Sequence, residues 1–238
     1  MRAPYGLELT ENCQSCALRS EEYFCQFSLA ALKAFEAIKY TTSYPEGAVL
    51  FVEEEASRGV FMLCRGRVKL SMTSRDGKTV ILRIVGPGEV LGLHAAVSGK
   101  PYQATAETLE PCQVNFVKRE DFLRFLREHA EASIRVAQEL SNNYQTACLQ
   151  IRSLGLTHSV PQRLARFLLD SCAKGQETRQ GIRVKLTLTH EEIGQVIGTS
   201  RETVTRTFGE FKDKHVAFLN GSTLVVQNKA ALQNFVSV

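Results

Sequence analysis

The spacing of hydrophobic and polar positions changes along the chain, and the first change predicts a helix followed by a β domain. Residues 29–38 have hydrophobic positions spaced as on one face of a short amphipathic helix. From residue 40 the pattern becomes short alternating or apolar runs that turn residues separate, as in β-strands. The predicted strands lie near residues 49–52, 60–64, 68–73, 80–85 and 105–117. Several short strands at this spacing are typical of a small barrel or jelly roll.

Helical spacing returns between residues 119 and 156, first over a short element at 120–127 and then over a longer one from residue 130. On the longer helix, intervals of three and four alternate, which is the spacing of a coiled-coil seam. The seam positions are Ile134, Ala137, Ser141, Tyr144, Cys148 and Ile151. Because Ser and Cys replace Leu at two positions, this seam would pair two helices weakly. The alternative is that the same face packs against the β domain.

Residues 186–215 predict two helices joined by a tight turn. Thr189 and Glu192 have the spacing of a capping box, so the first helix should begin at His190, and Gly198 should end it. Ser200 can cap the second helix. The core-facing positions of the two helices would be Ile193, Val196, Ile197, Val204, Phe208 and Phe211.

Four polar side chains then face outward from the second helix, namely Arg201, Glu202, Thr205 and Arg206. Arg can bond guanine with two donors, Glu can accept from the cytosine amino group, and Thr can contact a thymine methyl group. A helix with this set after a short turn suits the major groove of DNA, although an ordinary exposed helix face has the same spacing. Residues 218–226 predict a β-hairpin around Asn220-Gly221. Helix, turn, helix and hairpin together favour a winged DNA-binding domain.

Composition and charge agree with a globular protein whose C-terminal part contacts nucleic acid. The 238 residues are 44% hydrophobic and 23% charged, with a net charge of +4. Residues 1–155 carry 18 basic and 18 acidic residues, whereas residues 156–238 carry 11 basic and 7 acidic, so the whole excess lies in the second part. No apolar run approaches the roughly 18 residues of a membrane-spanning helix, and no signal-peptide pattern begins the chain. We therefore expect a cytoplasmic protein without membrane contact.

Three of the seven cysteines lie in the first 28 residues, which have little hydrophobic periodicity. Cys13 and Cys16 have the spacing at which two thiolates reach one metal, and Cys25 could supply a third ligand. Soft thiolate ligands suit an iron-sulfur cluster or zinc. A redox dithiol and a chance grouping are the alternatives, since stapling disulfides are rare in a reducing compartment. Cys64 and Cys172 are expected to fill core space.

Residues 192–206, EIGQVIGTSRETVTR, resemble the recognition region of the CRP/FNR family, the bacterial transcription factors that include the cyclic-AMP receptor and the fumarate-nitrate regulator. The resemblance implies that the second helix reads a DNA half-site and contacts phosphates. The base-reading positions would be Arg201, Glu202, Arg206 and, varying between branches, Thr205, and the phosphate contacts would be Ser200 and Thr203.

The same resemblance implies an α+β fold. An N-terminal β-roll, a double-stranded jelly roll of the cyclic-nucleotide-binding type, would carry the sensory ligand. A long helix would pair two subunits, and a C-terminal winged helix-turn-helix would bind DNA. The expected parts are a cysteine-rich segment (1–28), the β-roll sensor domain (29–128), the dimerisation helix (129–156) and the DNA-binding domain (157–238).

The cysteines resemble those of the iron-sulfur branch of the family, which holds its cluster with three N-terminal cysteines and one distant cysteine on a β-roll strand. Cys112 follows a Glu-Thr pair as that distant cysteine does. The resemblance therefore implies a [4Fe-4S] cluster, with zinc or no metal as the alternative. Its ligands would be Cys13, Cys16, Cys25 and Cys112. The interval between the second and third of these is longer than in the best-known member.

Two segments argue against a cyclic nucleotide as the sensed molecule. Gly92-Leu93-His94 stands where nucleotide-binding members have Gly-Glu-Leu, and residues 101–104 stand where they have Arg-Ser or Arg-Thr before Ala. The carboxylate for the ribose and the Arg for the phosphate are therefore missing. His94 could be a haem ligand, as in gas-sensing relatives, but a single His is more often a polar residue with an ordinary partner.

The sequence thus predicts a homodimeric, sequence-specific transcription regulator that senses oxygen, nitric oxide or redox state through an N-terminal iron-sulfur cluster. Its partners would be double-stranded DNA with a near-palindromic site, a second copy of the chain and, by the resemblance, RNA polymerase. The sequence contains no motif of a nucleophile with its base and no phosphate-binding glycine loop, so we do not expect an enzyme. The alternatives are a regulator switched by thiol-disulfide chemistry, zinc or another small effector, and a constitutive DNA-binding protein.

Overall fold

The computed structural model describes all residues except 1–3, 8, 11, 17–18, 20–22, 157–158, 174 and 237–238. The chain forms two compact units, residues 1–146 and 147–238. The boundary between them falls inside the long helix that the coiled-coil spacing predicts. In the described part of the chain, no helix is both long and apolar enough to cross a membrane.

The first unit contains a β-roll, as the close spacing of short strands predicts. Its elements, with the whole of the long helix included, are α1 (Leu29–Ile38), β1 (Lys39–Tyr44), β2 (Val49–Phe51), β3 (Gly59–Arg65), β4 (Val68–Thr73), β5 (Thr79–Val85), β6 (Val90–Leu91), α2 (Leu93–Ser98), β7 (Thr105–Thr108), β8 (Cys112–Lys118), α3 (Arg119–Glu128) and α4 (Ala130–Leu156). The strands form two four-stranded antiparallel sheets, with the orders β1-β8-β3-β6 and β2-β7-β4-β5.

Strand β8 has an inner and an outer side because successive side chains of a strand point to opposite faces of the sheet. Cys112 and Val114 lie in the inner core, between the two sheets. Val117 lies in an outer core, which helices α1, α3 and the start of α4 form on the other side of the β1-β8-β3-β6 sheet. We call that side of the sheet the outer face.

Aromatic rings fill much of the outer core and attach the N-terminal segment to it. Phe24 packs edge to face on Phe27, with ring centroids 5.3 Å apart. Phe27 in turn contacts Phe35 of α1 and Phe125 of α3, at 5.9 and 5.5 Å. Such pairs each contribute about 0.5–1.5 kcal/mol beyond the area they bury. Residues 24–27 therefore have a fixed place although they lie in no helix or strand.

Helix α4 buries a different side from the predicted seam. Ala132 and Val136 are buried in the outer core, and Leu140 packs against it. All six seam positions are exposed, and the three large hydrophobic ones are 60–74% exposed. The alternative in which the seam packs against the β domain is therefore wrong, and the dimer seam stays a prediction.

The second unit follows α4 with a winged helix-turn-helix. Its further elements are α5 (Val160–Cys172), β9 (Gln176–Thr178), β10 (Gly181–Lys185), α6 (His190–Ile197), α7 (Arg201–Asp213), β11 (Ala217–Asn220), β12 (Thr223–Val226) and α8 (Lys229–Val236). The predicted hairpin is β11 and β12, and it belongs to an antiparallel sheet of order β11-β12-β10-β9. The α+β fold expected from the sequence is confirmed.

Candidate nucleic-acid interface and thiol site

Helices α6 and α7 are capped as the sequence predicts. The Thr189 hydroxyl accepts a hydrogen bond from the Glu192 amide at 3.2 Å, and the Glu192 carboxylate accepts one from the Thr189 amide at 2.9 Å, so α6 begins at His190. Gly198 ends α6 with a φ of 67°, in the left-handed region that favours glycine. The turn is tight, because a Cβ on Gly194 would lie 2.7 Å from the Thr199 carbonyl oxygen.

Helix α7 presents the predicted DNA-contacting residues at its N-terminal end. Ser200 caps the helix by accepting a hydrogen bond from the Thr203 amide at 3.3 Å. The four predicted base-reading side chains are exposed: Arg201, Glu202, Thr205 and Arg206. The opposite side of the helix is buried and holds it in the second unit through Val204, Thr207, Phe208 and Phe211. One face of α7 can therefore be changed without altering the core.

His190 is a further member of this surface, which the sequence analysis treated only as the start of a helix. Its ring stacks on Phe208, with centroids 5.2 Å apart, and its Nδ1 lies 2.8 Å from the Thr205 hydroxyl oxygen. Burial, and then the nearby Arg201 charge, lower its pKa below the ordinary value of 6.5. Neutral His190 thus positions Thr205 rather than adding charge. Its place at the start of α6, eight residues before Gly198, is the signal in the sequence for this role.

The N-terminal segment is attached to the outer face by paired hydrogen bonds. The Thr10 amide donates to the Gln113 side-chain oxygen at 2.9 Å, and the Gln113 amide group donates back to the Thr10 carbonyl at 2.7 Å. Three residues later, the Cys13 amide donates to the Glu36 carboxylate at 2.9 Å. These contacts bring the first cysteine of the segment against α1 and β8.

Two further contacts attach the segment on either side of its third cysteine, Cys25. The Phe24 amide donates to the Gly88 carbonyl at 2.9 Å, and Tyr23 leaves no room for a Cβ on Gly88. The Ser28 amide donates to the Glu131 carboxylate at 2.9 Å, and the Ser28 hydroxyl donates to the same carboxylate. The segment is therefore joined to the first turn of α4.

The turn that holds Phe24 is itself joined to α4. Glu89, next to Gly88, accepts a hydrogen bond and ion pair from Arg83 at 2.6 Å. The same Arg83 guanidinium donates to the Asn143 side chain of α4, also at 2.6 Å. A charged guanidinium that bonds both partners makes this a strong local link.

Four cysteines lie where the segment meets the outer face: Cys13, Cys16, Cys25 and Cys64. We call them the thiol site. Cys13 is buried in the outer core, and Cys25 and Cys64 pack against that core. Burial, and then the nearby thiols of Cys13 and Cys16, raise the pKa of Cys25 to about 11. Burial, followed by the other three thiols, raises the pKa of Cys64 to about 12. The Cys25 and Cys64 thiols are therefore protonated, and poor nucleophiles, at neutral pH.

The structure does not bring Cys112 to the other predicted ligands. Its side chain lies in the inner core, where its thiol donates to the carbonyls of Glu110 at 3.1 Å and Arg67 at 3.4 Å. Burial raises its pKa to about 11, and the charged neighbours that act on it are Glu110 and Arg67, not the N-terminal thiols. The alternation of β8 turns Cys112 away from the outer face, so the structure does not bring the four predicted ligands together, and their role as one ligand set stays a prediction.

Thiolates are the ligands that iron-sulfur clusters and zinc prefer, so the donor atoms of the thiol site fit both. Among the residues that the structure describes, no group of three or more His, Cys, Asp or Glu is placed to hold a metal ion as it stands. A metal would therefore have to draw the thiols closer together. Such a movement is compatible with a segment that hydrogen bonds attach at a few points.

Residues 92–94 and 101–104, which resemble the nucleotide-binding segments in position, have other side chains here. Tyr102 is 2% exposed and stacks on Phe51, with ring centroids 4.1 Å apart. Its hydroxyl donates to the Gly59 carbonyl at 2.9 Å. His94 is exposed on α2. An aromatic side chain thus occupies part of the inner core beside the segment where nucleotide-binding members have an Arg.

Comparisons with known proteins match both units. The sequence profile of the cyclic nucleotide-binding domain matches residues 41–129, and that of the Crp-like helix-turn-helix domain matches residues 162–235. The chain is 25% identical over 204 residues to the CRP-like cAMP-activated global transcriptional regulator of Mycobacterium tuberculosis, covering 85% of this chain and 91% of that protein. It is 28% identical over 195 residues to the global nitrogen regulator of Synechocystis, covering 80% and 85%.

Solved structures agree with these relatives. TTHB099, a transcriptional regulator of the CRP family from Thermus thermophilus, superimposes with a TM-score of 0.70 at 25% identity, over 83% of this chain and 97% of that one. FixK2 from Bradyrhizobium japonicum superimposes with a TM-score of 0.73 at 22% identity, over 83% and 97%. The arrangement of β-roll, long helix and winged helix-turn-helix is therefore shared with both.

Proposed function

The chain belongs to the CRP/FNR family of transcription regulators, and from this premise we propose that its N-terminal cysteines control its affinity for DNA. It is a DNA-binding regulator and not an enzyme, as its relatives and its helix-turn-helix domain show. One observation carries the proposal for sensing. Cys13 is buried in the outer core, Cys16 lies in a turn with it, and Cys25 packs against the same core, although the described residues around them form no helix or strand.

The DNA-reading step follows from the exposed end of α7. With its N-terminal turns in the major groove, Arg206 or Arg201 can bond a guanine edge with two donors and Glu202 can accept from cytosine. Thr205 meets a base or methyl group in the orientation that His190 gives it. Ser200 and Thr203 lie at the helix N-terminus, where backbone amides and the helix dipole favour a phosphate.

A dimer would place two such helices on DNA. The exposed seam of α4 offers the surface for a second copy, and its polar members make the pairing weak. Two-fold symmetry then requires a near-palindromic site with half-sites about one helical turn apart. RNA polymerase is the further partner that family membership implies.

For the sensor we propose a [4Fe-4S] cluster that Cys13, Cys16 and Cys25 hold together with a fourth thiol. When bound, the cluster would supply reactivity toward oxygen or nitric oxide. The chain supplies the thiolates, the apolar surroundings of the outer core that limit water, and the Glu36 carboxylate that fixes the backbone at Cys13. Burial raises the pKa of Cys13, and the nearby Lys39 charge offsets part of this effect.

Cluster binding at the N-terminal segment can affect α4, the proposed dimer helix, through two contacts. Ser28 bonds Glu131 in the first turn of α4, three residues after Cys25, and Phe24 is joined to α4 through the Gly88 turn and Arg83. Ordering the segment therefore favours one position of α4. A ligand shifts dimerisation only by its differential stabilisation of the paired form, and about 1–3 kcal/mol is enough for a switch.

Two other sensors are weaker candidates. A disulfide could use the same thiols, but protonated buried thiols react slowly with oxidants. Zinc would use the same donor atoms, and the iron and sulfide assay below separates it from a cluster. Several relatives are cAMP-activated by name, yet this chain has Leu93 and Tyr102 where a carboxylate and an Arg would anchor the nucleotide. The residues of this chain thus favour the thiol site over the inner core as the sensing site.

The test begins with anaerobic purification. Wild type, Cys25→Ser and Cys172→Ser would be assayed for iron, acid-labile sulfide and a visible absorption band, before and after exposure to air. Cys172 is the matched control because it is a buried cysteine of the other unit. Dimer mass and affinity for a duplex selected from random DNA would be measured on the same samples.

We expect wild type and Cys172→Ser to hold iron and sulfide, to dimerise and to bind the duplex, and to lose all three properties in air. Cys25→Ser should resemble the air-exposed protein from the start. If wild type binds DNA equally in air and without metal, and Cys25→Ser behaves like it, the cysteines are not the sensor.

A further inference from the structure

We infer that Cys64, on strand β3, is the fourth thiol of the sensing site, in place of Cys112. This inference rests on the proposed function, because it completes the cysteine site proposed above. From sequence, Cys64 stands in a hydrophobic run and is expected only to fill core space.

Cys64 faces the N-terminal segment because of its position on β3. Leu63 lies in the inner core, whereas Val60 and Met62 lie in the outer core, so the even-numbered residues of this strand face outward. The pairing of β3 with β8 also shifts register between Leu63 and Arg65, which leaves Cys64 as the extra residue of a bulge. Bulges commonly re-aim a side chain next to a functional site.

The N-terminal segment crosses the same part of the outer face. Gln113 is the β8 partner of Arg65, and its side chain holds the backbone of Thr10, three residues before Cys13. Asn115, two residues further along the outer side of β8, donates a hydrogen bond to the Cys64 sulfur at 3.2 Å. The sulfur therefore already has a polar partner of the kind that orients a thiolate ligand.

The four thiols form one group. Cys16 lies in a turn with Cys13, whose carbonyl accepts a hydrogen bond from the Cys16 amide at 3.4 Å. Cys13 is buried in the outer core on which Cys25 and Cys64 pack. A [4Fe-4S] cluster is held by four thiolates. Cys64 would therefore supply the fourth ligand that the three N-terminal cysteines lack.

Cys112 is confined to the other side of the sheet. A Cβ on Gly66 would lie 2.4 Å from the Cys112 sulfur, so backbone closes over the thiol, which already donates to the Arg67 and Glu110 carbonyls. Turning Cys112 outward by a one-residue shift of β8 would also turn Val114 out of the inner core. Cys64 needs no such rearrangement.

Proximity can be tested in metal-free protein. Wild type would be treated anaerobically with dibromobimane, a small reagent that links two thiols, then digested, and the linked peptides identified by mass spectrometry. We expect Cys64 linked to Cys25, Cys13 or Cys16. Absence of Cys64 from every linked peptide, or a link from Cys112 to the N-terminal cysteines, overturns the inference.

Ligation can be tested by matched substitutions. Cys64→Ser and Cys112→Ser, with Cys64→Ala and Cys112→Ala to separate loss of the thiol from a buried hydroxyl, would be reconstituted with iron and sulfide. Thermal unfolding would confirm that each variant folds. We expect the Cys64 variants to lose most of their iron and the Cys112 variants to keep it.

The two proposals can fail separately. Loss of iron in the Cys112 variants, or its retention in the Cys64 variants, overturns the role of Cys64 while the cluster itself survives. If wild type assembles no cluster, the proposed iron-sulfur function fails, and the cross-linking result still decides whether Cys64 belongs to the thiol site.

Discussion

In the first unit the side chains assigned to sensing are buried or half-buried, whereas in the second unit those assigned to DNA reading are exposed. Cys13 is 8% exposed and packs among phenylalanine rings, while Arg201 and Arg206 project from a helix whose other side makes the core. We therefore expect substitutions at the thiol site and on the exposed face of α7 to have different effects. Changes at the thiol site should alter stability and sensing together, and changes at the exposed Arg201 and Arg206 should alter DNA affinity alone.

The difference has a functional reason. A sensor must change the packing of the protein when its ligand binds. The thiol site can do so because it shares the outer core with the start of α4. A DNA-reading face must stay constant while it meets many sequences, so its side chains lie outside a core that does not depend on them.

The largest effect on stability is expected from removing the phenylalanine ring that anchors the N-terminal segment. Phe24 is 1% exposed and contacts Phe27 and Phe122. Phe24→Ala should lower the free energy of unfolding of the first unit by about 3–5 kcal/mol, from lost burial and a cavity. Thiol labelling of Cys25 should accelerate because the segment detaches. Urea unfolding and labelling rates would measure both.

Phe24→Leu is the matched control, since it keeps most of the buried volume and should lie between wild type and Phe24→Ala. Unchanged labelling of Cys25 in the Ala variant would show that the paired bonds at Thr10 and Ser28, rather than the ring, hold the segment.

The next effect tests the exposed side of the comparison. Arg206→Ala should weaken binding by roughly 1–3 kcal/mol per half-site and relax preference at one guanine. Thermal unfolding should not change because the side chain is exposed. Binding to selected and scrambled duplexes would be compared, with Lys212→Ala as a control that removes the same charge from the last turn of α7. Equal loss on all sequences, with a smaller salt dependence, would instead make Arg206 a phosphate contact.

Much of the second unit follows from sequence because its signals are local. Thr189 with Glu192, Gly198 and Ser200 specify the helix-turn-helix within a dozen residues, and Asn220-Gly221 specifies the hairpin. The exposed face of α7 follows from helical spacing alone. His190 was missed because its contact with Thr205 spans the turn between two helices.

The thiol site was harder to predict because it depends on which side of a strand each residue faces. The Cys-x-x-Cys spacing indicated Cys13 and Cys16, but Cys64 and Cys112 are both strand residues in hydrophobic surroundings. Only the register of β3 on β8, with its bulge at Cys64, separates an outer thiol from an inner one. Sequence periodicity cannot locate such a bulge.

A smaller effect should separate stability from DNA binding at one residue. Ser200→Ala removes the α7 cap and should lower stability by about 1 kcal/mol. Ser200→Asp keeps a capping oxygen and favours the helix dipole, so stability should be maintained, but its charge should repel DNA phosphate. Thermal unfolding and duplex binding would be measured for both. Tight binding by the Asp variant would show that Ser200 faces no phosphate.

The smallest effect concerns the link between the N-terminal segment and α4, and its size depends on pH. The Ser28 hydroxyl, and then the Ser28 amide, bond the Glu131 carboxylate and lower its pKa below the ordinary 4.5. The folded state favours the charged carboxylate. Its contribution to the free energy of unfolding is therefore fully present above pH 4.5, and it disappears as the pH falls through the lowered pKa of the folded state. Because the carboxylate is at the surface, Glu131→Gln should cost less than about 1 kcal/mol at neutral pH.

Glu139 on the same helix gives a control of opposite sign. Burial, and then the Glu89 charge, raise its pKa above 4.5, so its ionised form opposes folding at neutral pH. Glu139→Gln should therefore stabilise the protein at neutral pH, where Glu131→Gln destabilises it, and both differences should vanish in acid because the wild-type carboxyls are then protonated. Urea unfolding of the three proteins at neutral and acidic pH would measure this. If Glu131→Gln shows the same difference from wild type at both pH values, the Ser28 contact owes nothing to the carboxylate charge.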